Sequence, residues 1–185
     1  MSLLDANIIV KIKTSGGLMQ NKNNNYIDVT KEWISKANPN SNEIKELNYW
    51  LINNKKKKVD GKYILLDYSK NELECAKWLE ETFGGEIYMC PRVNIPEGIR
   101  TPDFIWNNEY WDLKILNGNL KNTIDNIIKK SKGQSTNFII DLSNTKADIT
   151  KINRLINKLF ENNKRNWLET IIVRNKQKFY IFKRK

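Results

Sequence analysis

The sequence of 185 residues predicts an α/β (α+β) domain in which helices flank a mixed central sheet. Apolar runs of strand length alternate with amphipathic helical patterns from Lys62 to the end of the chain. Asn, Gly and Pro punctuate these segments where turns are needed. Hydrophobic residues make up 39% of the chain, and no apolar run approaches the roughly 20 residues of a membrane span. The sequence therefore predicts one main core and no membrane partner.

The elements after residue 60 follow from local signals. Ser69 as N-cap with Glu72 three residues later predicts a helix start, and Gly84-Gly85 predicts its end. Asn107-Asn108 is a two-residue turn signal between two apolar runs, which predicts a hairpin. Strands are predicted at 63–66, 86–92, 103–106, 110–116, 137–142, 168–174 and 178–182. Helices are predicted at 69–83, 120–132 and 149–162.

The first 60 residues have a different texture, with Asn-rich and Lys-rich stretches between short apolar segments. We predict an N-terminal appendage or linker over 1–60 and a main folded domain over 61–185. Within the appendage, 7–13 is predicted to be a strand, and 28–36 and 41–53 are predicted to be short helices. Lys55–Lys58 is interpreted as an exposed linker, although the run could also contact phosphate.

Histidine is absent, and Cys75 and Cys90 are the two cysteines. This composition excludes a Cys/His zinc site, a Ser-His-Asp triad and a two-histidine ribonuclease mechanism. The two cysteines are interpreted as buried free thiols, with a disulfide as the alternative. Carboxylates and lysines remain as the groups that can carry chemistry.

The formal net charge of +11 is unevenly distributed. Lys and Arg number 10 against 6 Asp and Glu in residues 1–60, 6 against 10 in residues 61–117, and 16 against 5 in residues 118–185. An acidic middle between basic flanks suits an enzyme that holds a cation among carboxylates and a polyanion around them. A solvated surface encoded by an AT-rich genome explains the same counts, so charge alone does not choose between the two.

The informative motif is Pro102-Asp103, eight residues, then Asp112-Leu113-Lys114. Residues i and i+2 of a strand share a face, so Asp112 and Lys114 are expected to project together. The hairpin turn is expected to bring Asp103 beside them. Two carboxylates for a divalent cation and a lysine for water or phosphate are the groups that phosphodiester hydrolysis requires.

This motif resembles the PD-(D/E)XK nuclease superfamily, most closely the modules that end contact-dependent inhibition toxins and some phage minor capsid proteins. The resemblance covers roughly residues 60–185 and implies a restriction-endonuclease-like core. It implies that Asp103 and Asp112 hold Mg²⁺, or alternatively Mn²⁺ or Zn²⁺. It also implies that Lys114 activates water and steadies the phosphate.

A glutamate on the preceding helix often completes the metal site in that superfamily. At about 100° per residue, Glu72 lies in line with the apolar positions Leu79 and Phe83, whereas Glu74 points to the opposite side. Glu72 is therefore predicted as the third carboxylate. The alternative for Glu72 is a capping-box role with Ser69.

The resemblance also implies RNA, most specifically tRNA, as substrate and a cognate immunity protein as partner. It places the chain in the cytoplasm of a target or host cell, delivered by a secreted or phage-borne parent. The predicted nucleic-acid contacts are Arg100, Tyr110, Lys129, Lys130 and Gln134. Residue chemistry does not choose RNA over DNA.

Two other functions fit parts of the sequence. One is a metal-independent ribonuclease of the barnase, EndoU, colicin or RelE type, which needs no carboxylate cluster. The other is a non-catalytic nucleic-acid-binding module for phage head assembly, for which a basic surface suffices. Cleavage in the presence of a chelator distinguishes the first, and binding without cleavage distinguishes the second.

Overall fold

The computed structural model describes residues 24–41, 43–117, 123–145, 148–176 and 178–185. The strands are Tyr26–Asp28 (β1), Ile44–Glu46 (β2), Tyr49–Ile52 (β3), Lys55–Lys58 (β4), Ile64–Leu65 (β5), Ile87–Met89 (β6), Arg92–Val93 (β7), Phe104–Trp106 (β8), Glu109–Asn117 (β9), Asn137–Asn144 (β10), Thr170–Asn175 (β11) and Lys178–Arg184 (β12). The helices are Thr30–Lys36 (α1), Lys70–Phe83 (α2), Thr123–Lys130 (α3) and Ile149–Glu161 (α4), with a 3-10 turn at Asn163–Arg165.

Eight strands form one sheet in the order β1-β12-β11-β10-β9-β8-β6-β2. The central strands β9, β10 and β11 are parallel, and β2 is parallel to β6. The remaining neighbours in this sheet pair antiparallel. The sheet is therefore mixed, and with its flanking helices it confirms the predicted fold class. None of the helices in the described ranges is long and apolar enough to cross a membrane.

Each face of the sheet has its own hydrophobic cluster. On one face, α2 packs with Cys75, Ala76 and Leu79 against strand residues such as Leu113 and Ile139. On the other face, α3 and α4 pack against the side chains that alternate with these. β10 is buried on both faces because it runs through the middle, as its apolar sequence predicted. Strand β9, which carries the motif, therefore lies between the two clusters.

The segment 41–53 corrects one prediction. It forms β2 and β3 where a helix was expected, because Asn53 and Asn54 adopt φ of 50° and 60° and turn the chain back into β4. β3 and β4 make a two-stranded hairpin in which Ile52 pairs with Lys55. Lys55–Lys58 is thus a strand with four exposed side chains and not a linker.

The described part of the first 60 residues contributes to the main sheet. β1 pairs with β12, and β2 pairs with β6. The ring of Trp33 on α1 lies 5.6 Å from that of Trp106 and 6.2 Å from that of Trp111. The division into 1–60 and 61–185 stays a prediction. The predicted strand at 7–13 lies outside the described residues.

The other elements lie close to their predicted positions. α2 begins with the predicted capping box of Ser69 and Glu72, and Gly84 terminates it. The predicted strand 86–92 is divided into β6 and β7, and the start of the helix predicted at 120–132 falls outside the described residues. Cys75 and Cys90 are free, buried thiols, as expected. Burial raises the pKa of each thiol to about 12.

Candidate active site

The candidate active site lies where β8 stops pairing with β9. The register between them ends at Phe104 and Trp111, whereas β9 continues along β10 to Asn117. Asp103 precedes β8, and its Oδ2 accepts a hydrogen bond from the Leu113 backbone N–H at 2.6 Å. This carboxylate takes the position of a strand carbonyl, which draws it against the edge of β9 next to Asp112.

Asp112 and Lys114 form a buried ion pair on β9. Lys114 Nζ lies 2.5 Å from Asp112 Oδ2, and the side chains are 21% and 0% exposed, respectively. Strand alternation places them together, as predicted, and turns Trp111 to the opposite face, where it packs in the α2 cluster. Apart from this ion pair and a side-chain interaction with the Asp103 carboxyl group, the described residues give the oxygens of Asp112 no hydrogen-bond partner. Asp112 is therefore a buried carboxylate whose hydrogen-bonding capacity is only partly used.

The electrostatics of Asp103 reflect its position. Burial, and next the negative charge of Asp112, raise the pKa of Asp103 to about 8, although the hydrogen bond from Leu113 opposes the shift. A carboxyl group with such a pKa holds a proton at neutral pH when no cation is present. The two carboxyl groups therefore lie close enough for the charge of Asp112 to disfavour ionisation of Asp103.

These properties fit a hard divalent cation. Mg²⁺ is commonly held by one or two carboxylates, with waters and substrate phosphate as the other ligands. Asp103 and Asp112 supply two such carboxylates, and among the described residues only Lys114 and Asp103 interact with the oxygens of Asp112. Within the described residues, no group of three or more His, Cys, Asp or Glu side chains is arranged to hold a metal. The arrangement therefore fits an open two-carboxylate site and not a closed protein cage.

Glu72 lies near this site but is engaged in the helix cap. Its Oε2 accepts a hydrogen bond from the Ser69 backbone N–H at 2.5 Å, and Ser69 Oγ accepts one from the Glu72 N–H at 3.3 Å. Glu72 is half-buried beside the Asp103 cavity, whereas Glu74 is exposed and pairs with Lys70 at 3.6 Å. The helical periodicity thus correctly predicted that Glu72 faces the protein and Glu74 faces solvent. The role of Glu72 as a metal ligand stays a prediction.

A cavity of about 250 Å³ opens in front of Asp103. Its wall brings together groups from α2, from the loop 90–103 and from the segment after α3. Among its lining residues are Asp67, Tyr68, Glu72, Arg92, Arg100, Asp103 and Gln134. Arg92, whose guanidinium pairs with Asp67 at 3.2 Å, is a cation that sequence reasoning missed. No motif marks it, because the fold alone brings β7 to the site.

The predicted nucleic-acid contacts fall into two groups. The Arg100 guanidinium donates to the backbone carbonyls of Lys130 and Lys132, so it caps the end of α3. Gln134 Nε2 donates to the Thr101 carbonyl at 3.2 Å. These two side chains tie the loop before Asp103 to the segment after α3.

The others are more exposed. Tyr110 is 50% exposed two residues before Asp112, on the same face of β9. Lys129 and Lys130 are exposed in the last turn of α3. The structure therefore places Arg100 and Gln134 in the wall of the Asp103 cavity, and the contacts of all five residues with nucleic acid stay predictions.

Comparison with known proteins adds a family likeness. The family described as contact-dependent growth inhibition CdiA C-terminal domain matches residues 100–179. A similar solved structure is the CdiA-CT/CdiI toxin and immunity complex from Burkholderia pseudomallei, with 20% identity and a TM-score of 0.42 over 64% of this chain and 92% of that chain. No curated protein sequence matches. The stretch that matches the family contains Asp103, Asp112 and Lys114.

Proposed function

We propose that this chain is a metal-dependent nuclease that hydrolyses phosphodiester bonds. One observation carries the proposal: the buried, under-satisfied Asp112 carboxylate lies beside Asp103 and is paired with Lys114 at 2.5 Å. A same-face ion pair on an exposed strand would need no such burial, and burying two charges costs free energy whatever their role, so a function is a reason for the chain to keep them there. Buried charge in a cleft is the usual arrangement at catalytic centres.

The residues take distinct roles in this proposal. Asp103 and Asp112 hold the divalent cation, which supplies Lewis-acid stabilisation of the phosphate charge. Lys114, held beside Asp112 by the ion pair, orients the attacking water and stabilises the pentavalent phosphate. Arg92, at the cavity wall, binds a neighbouring phosphate of the substrate. Glu72 completes the cation site if its carboxylate leaves the helix cap.

We further propose that the enzyme is a toxin module and that its substrate is RNA, most specifically tRNA. The family match over residues 100–179 supports the toxin context. In that context the module is delivered into a target cell by a secreted parent protein. A cognate immunity protein then protects the producing cell by binding this chain.

The direct test is a cleavage assay with the full chain, total tRNA and plasmid DNA. We expect Mg²⁺-dependent cleavage of RNA by the wild type and loss of at least about 100-fold in rate for Asp112→Asn, because a charged metal ligand is removed. The matched control is Asp141→Asn. Asp141 pairs with Arg174 on the neighbouring strands, on the opposite face of the sheet from Asp112.

Three results would contradict the proposal in different ways. Undiminished cleavage with chelator present would indicate a metal-independent ribonuclease. RNA binding without cleavage in Mg²⁺, Mn²⁺ or Zn²⁺ would indicate a non-catalytic module. Equal loss of activity in Asp112→Asn and Asp141→Asn, with thermal unfolding lowered in both, would show that destabilisation and not chemistry explains the effect.

A further inference from the structure

A second cavity lies at the N-terminal ends of β9, β10 and β11. It has a volume of about 440 Å³, within the range of small-molecule sites. Two aromatic side chains, Tyr110 and Trp167, line it together with the segment 132–136. Asn137 also lines it, and this side chain is 2% exposed. Asn137 Nδ2 donates to the Tyr110 carbonyl at 3.1 Å, whereas its Oδ1 has no hydrogen-bond partner among the described residues.

The chemistry of this cavity favours a nucleobase over a phosphate. Its charged side chains are Glu109, Glu169 and Lys132, all exposed, and their net negative charge disfavours an anion at the rim. The aromatic rings offer stacking surfaces to a flat, neutral ring.

A basic arm stands next to this cavity. We call β3, its turn and β4 the lysine hairpin, residues 49–58. All four lysines, Lys55 to Lys58, are exposed, and within the described ranges none is within ion-pair distance of a carboxylate. The Trp50 ring lies 6.0 Å from the Tyr110 ring, and Trp50 pairs in register with Lys57. The hairpin thus places cations beside the aromatic cavity without neutralising them.

The two cavities are neighbours. Gln134 lines both the aromatic cavity and the cavity of Asp103. Tyr110 and Asp112 are separated by one residue on β9 and share a face. A chain of nucleotides that passes Gln134 therefore reaches both cavities.

We infer that the aromatic cavity binds one unpaired base of the substrate while the lysine hairpin binds the phosphates beside it. The inference rests on the proposed function only for the identity of the cleaved strand. A base that is stacked and paired within a duplex cannot enter the cavity, so the substrate segment is single-stranded. This names a substrate class, an unpaired loop or end, that the carboxylates and Lys114 do not specify.

Binding is measured by fluorescence anisotropy with a short labelled RNA that lacks self-complementarity, and with the same RNA annealed to its complement. Every protein carries Asp112→Asn and the buffer contains chelator, so cleavage cannot interfere. Tyr110→Ala is compared with Tyr110→Phe, which keeps the ring. Glutamine at all four hairpin lysines is compared with glutamine at Lys31, Lys151, Arg154 and Lys158, which removes the same charge from exposed positions elsewhere.

We expect the single strand to bind at least about tenfold more tightly than the duplex. Tyr110→Ala should weaken binding about tenfold through lost stacking, and Tyr110→Phe should retain it. The hairpin variant should bind more weakly and lower the slope of log affinity against log salt by about 0.7 for each lost phosphate contact. The control variant should retain most of the affinity and the slope.

Equal binding of duplex and single strand would overturn the inference. So would equal effects of the two Tyr110 variants, or equal losses in the hairpin and control variants. Unchanged RNA binding in both lysine variants would also overturn the inference, and it would indicate that the lysine hairpin binds a protein partner. If wild type leaves RNA uncut while binding follows the expected pattern, the proposed function fails and the base site stands. If cleavage requires Asp112 but binding does not depend on Tyr110 or on the lysine hairpin, the proposed function stands and the base site fails.

Discussion

At the residue scale, the ion pair of Asp112 and Lys114 has a measurable stability consequence. Lys114→Met leaves a fully buried carboxylate without its cation, and we expect the free energy of unfolding to fall by about 3 kcal/mol. Asp112→Asn combined with Lys114→Met should recover most of this loss, because no unpaired charge remains. Urea denaturation of the two single variants and the double variant measures the coupling. Additive effects would show that the two groups do not depend on each other.

Asp103 gives the molecule a pH dependence. Its pKa is raised from 3.8 to about 8 by burial and by Asp112, so between these pH values the folded chain keeps a proton that the unfolded chain releases. The free energy of unfolding therefore falls as pH rises through this window. With chelator present, we expect a fall of more than about 1 kcal/mol between about pH 5 and about pH 8. Asp103→Asn should flatten this slope in chemical denaturation, and an unchanged slope would contradict the assignment.

The sequence correctly predicted that Asp112 and Lys114 lie on the same face of their strand, because local backbone geometry determines it. Strand alternation fixes the side on which Asp112 and Lys114 project, and a two-residue turn fixes what lies opposite. The bonding of Arg100 and Gln134 was beyond sequence reasoning. Their partners are backbone carbonyls some 30 residues away, such as that of Lys130 for Arg100, and no local pattern records such contacts.

At the element scale, the segment 41–53 shows why a helical pattern was misleading. Ile44, Leu47 and Leu51 are spaced as on one helix face, but so few apolar positions also fit two short strands. Asn53-Asn54 held the decisive signal, because it repeats the Asn107-Asn108 turn. All four of these residues have positive φ, which a tight hairpin turn requires.

The end of α2 makes a further element-scale prediction. Gly84 has φ of 71°, and an added Cβ would lie 1.9 Å from the Asn38 carbonyl oxygen. Gly98 also has positive φ, at 84°, but faces open space. We expect Gly98→Ala to cost about 1 kcal/mol for backbone strain, and Gly84→Ala to cost clearly more because residues 38–41 must move. Thermal unfolding of both variants measures the difference, and equal costs would mean that this contact yields without strain.

At the scale of the whole molecule, both edge strands of the main sheet come from residues before position 60. β1 pairs Tyr26 with Arg184, and β2 pairs Ile44 with Ile87. Pairings between such distant segments leave no trace in local periodicity, so the sequence predicted the central strands and missed both edge strands. The division at residue 60 stays a prediction, and a shortened chain can test it.

We expect a chain that begins at residue 61 to lose cooperative folding. Without the preceding residues, β12 and β6 would expose strand edges, and the Trp106 and Trp111 rings would lose the cover of Trp33. Circular dichroism during thermal unfolding of the full and shortened chains measures this. A cooperative transition for the shortened chain, at a temperature close to that of the full chain, would support an independent domain over 61–185.

The two buried thiols can report local unfolding of the protein. Cys75 lies under α2 and Cys90 next to Asp103, and neither ionises appreciably at neutral pH because burial raises both pKa values to about 12. Because the thiolate is the reactive form, an alkylating reagent modifies each cysteine only after the surrounding segment unfolds. The modification rate of each thiol then reports the free energy of local unfolding at two places, helix α2 and the segment that contacts Asp103.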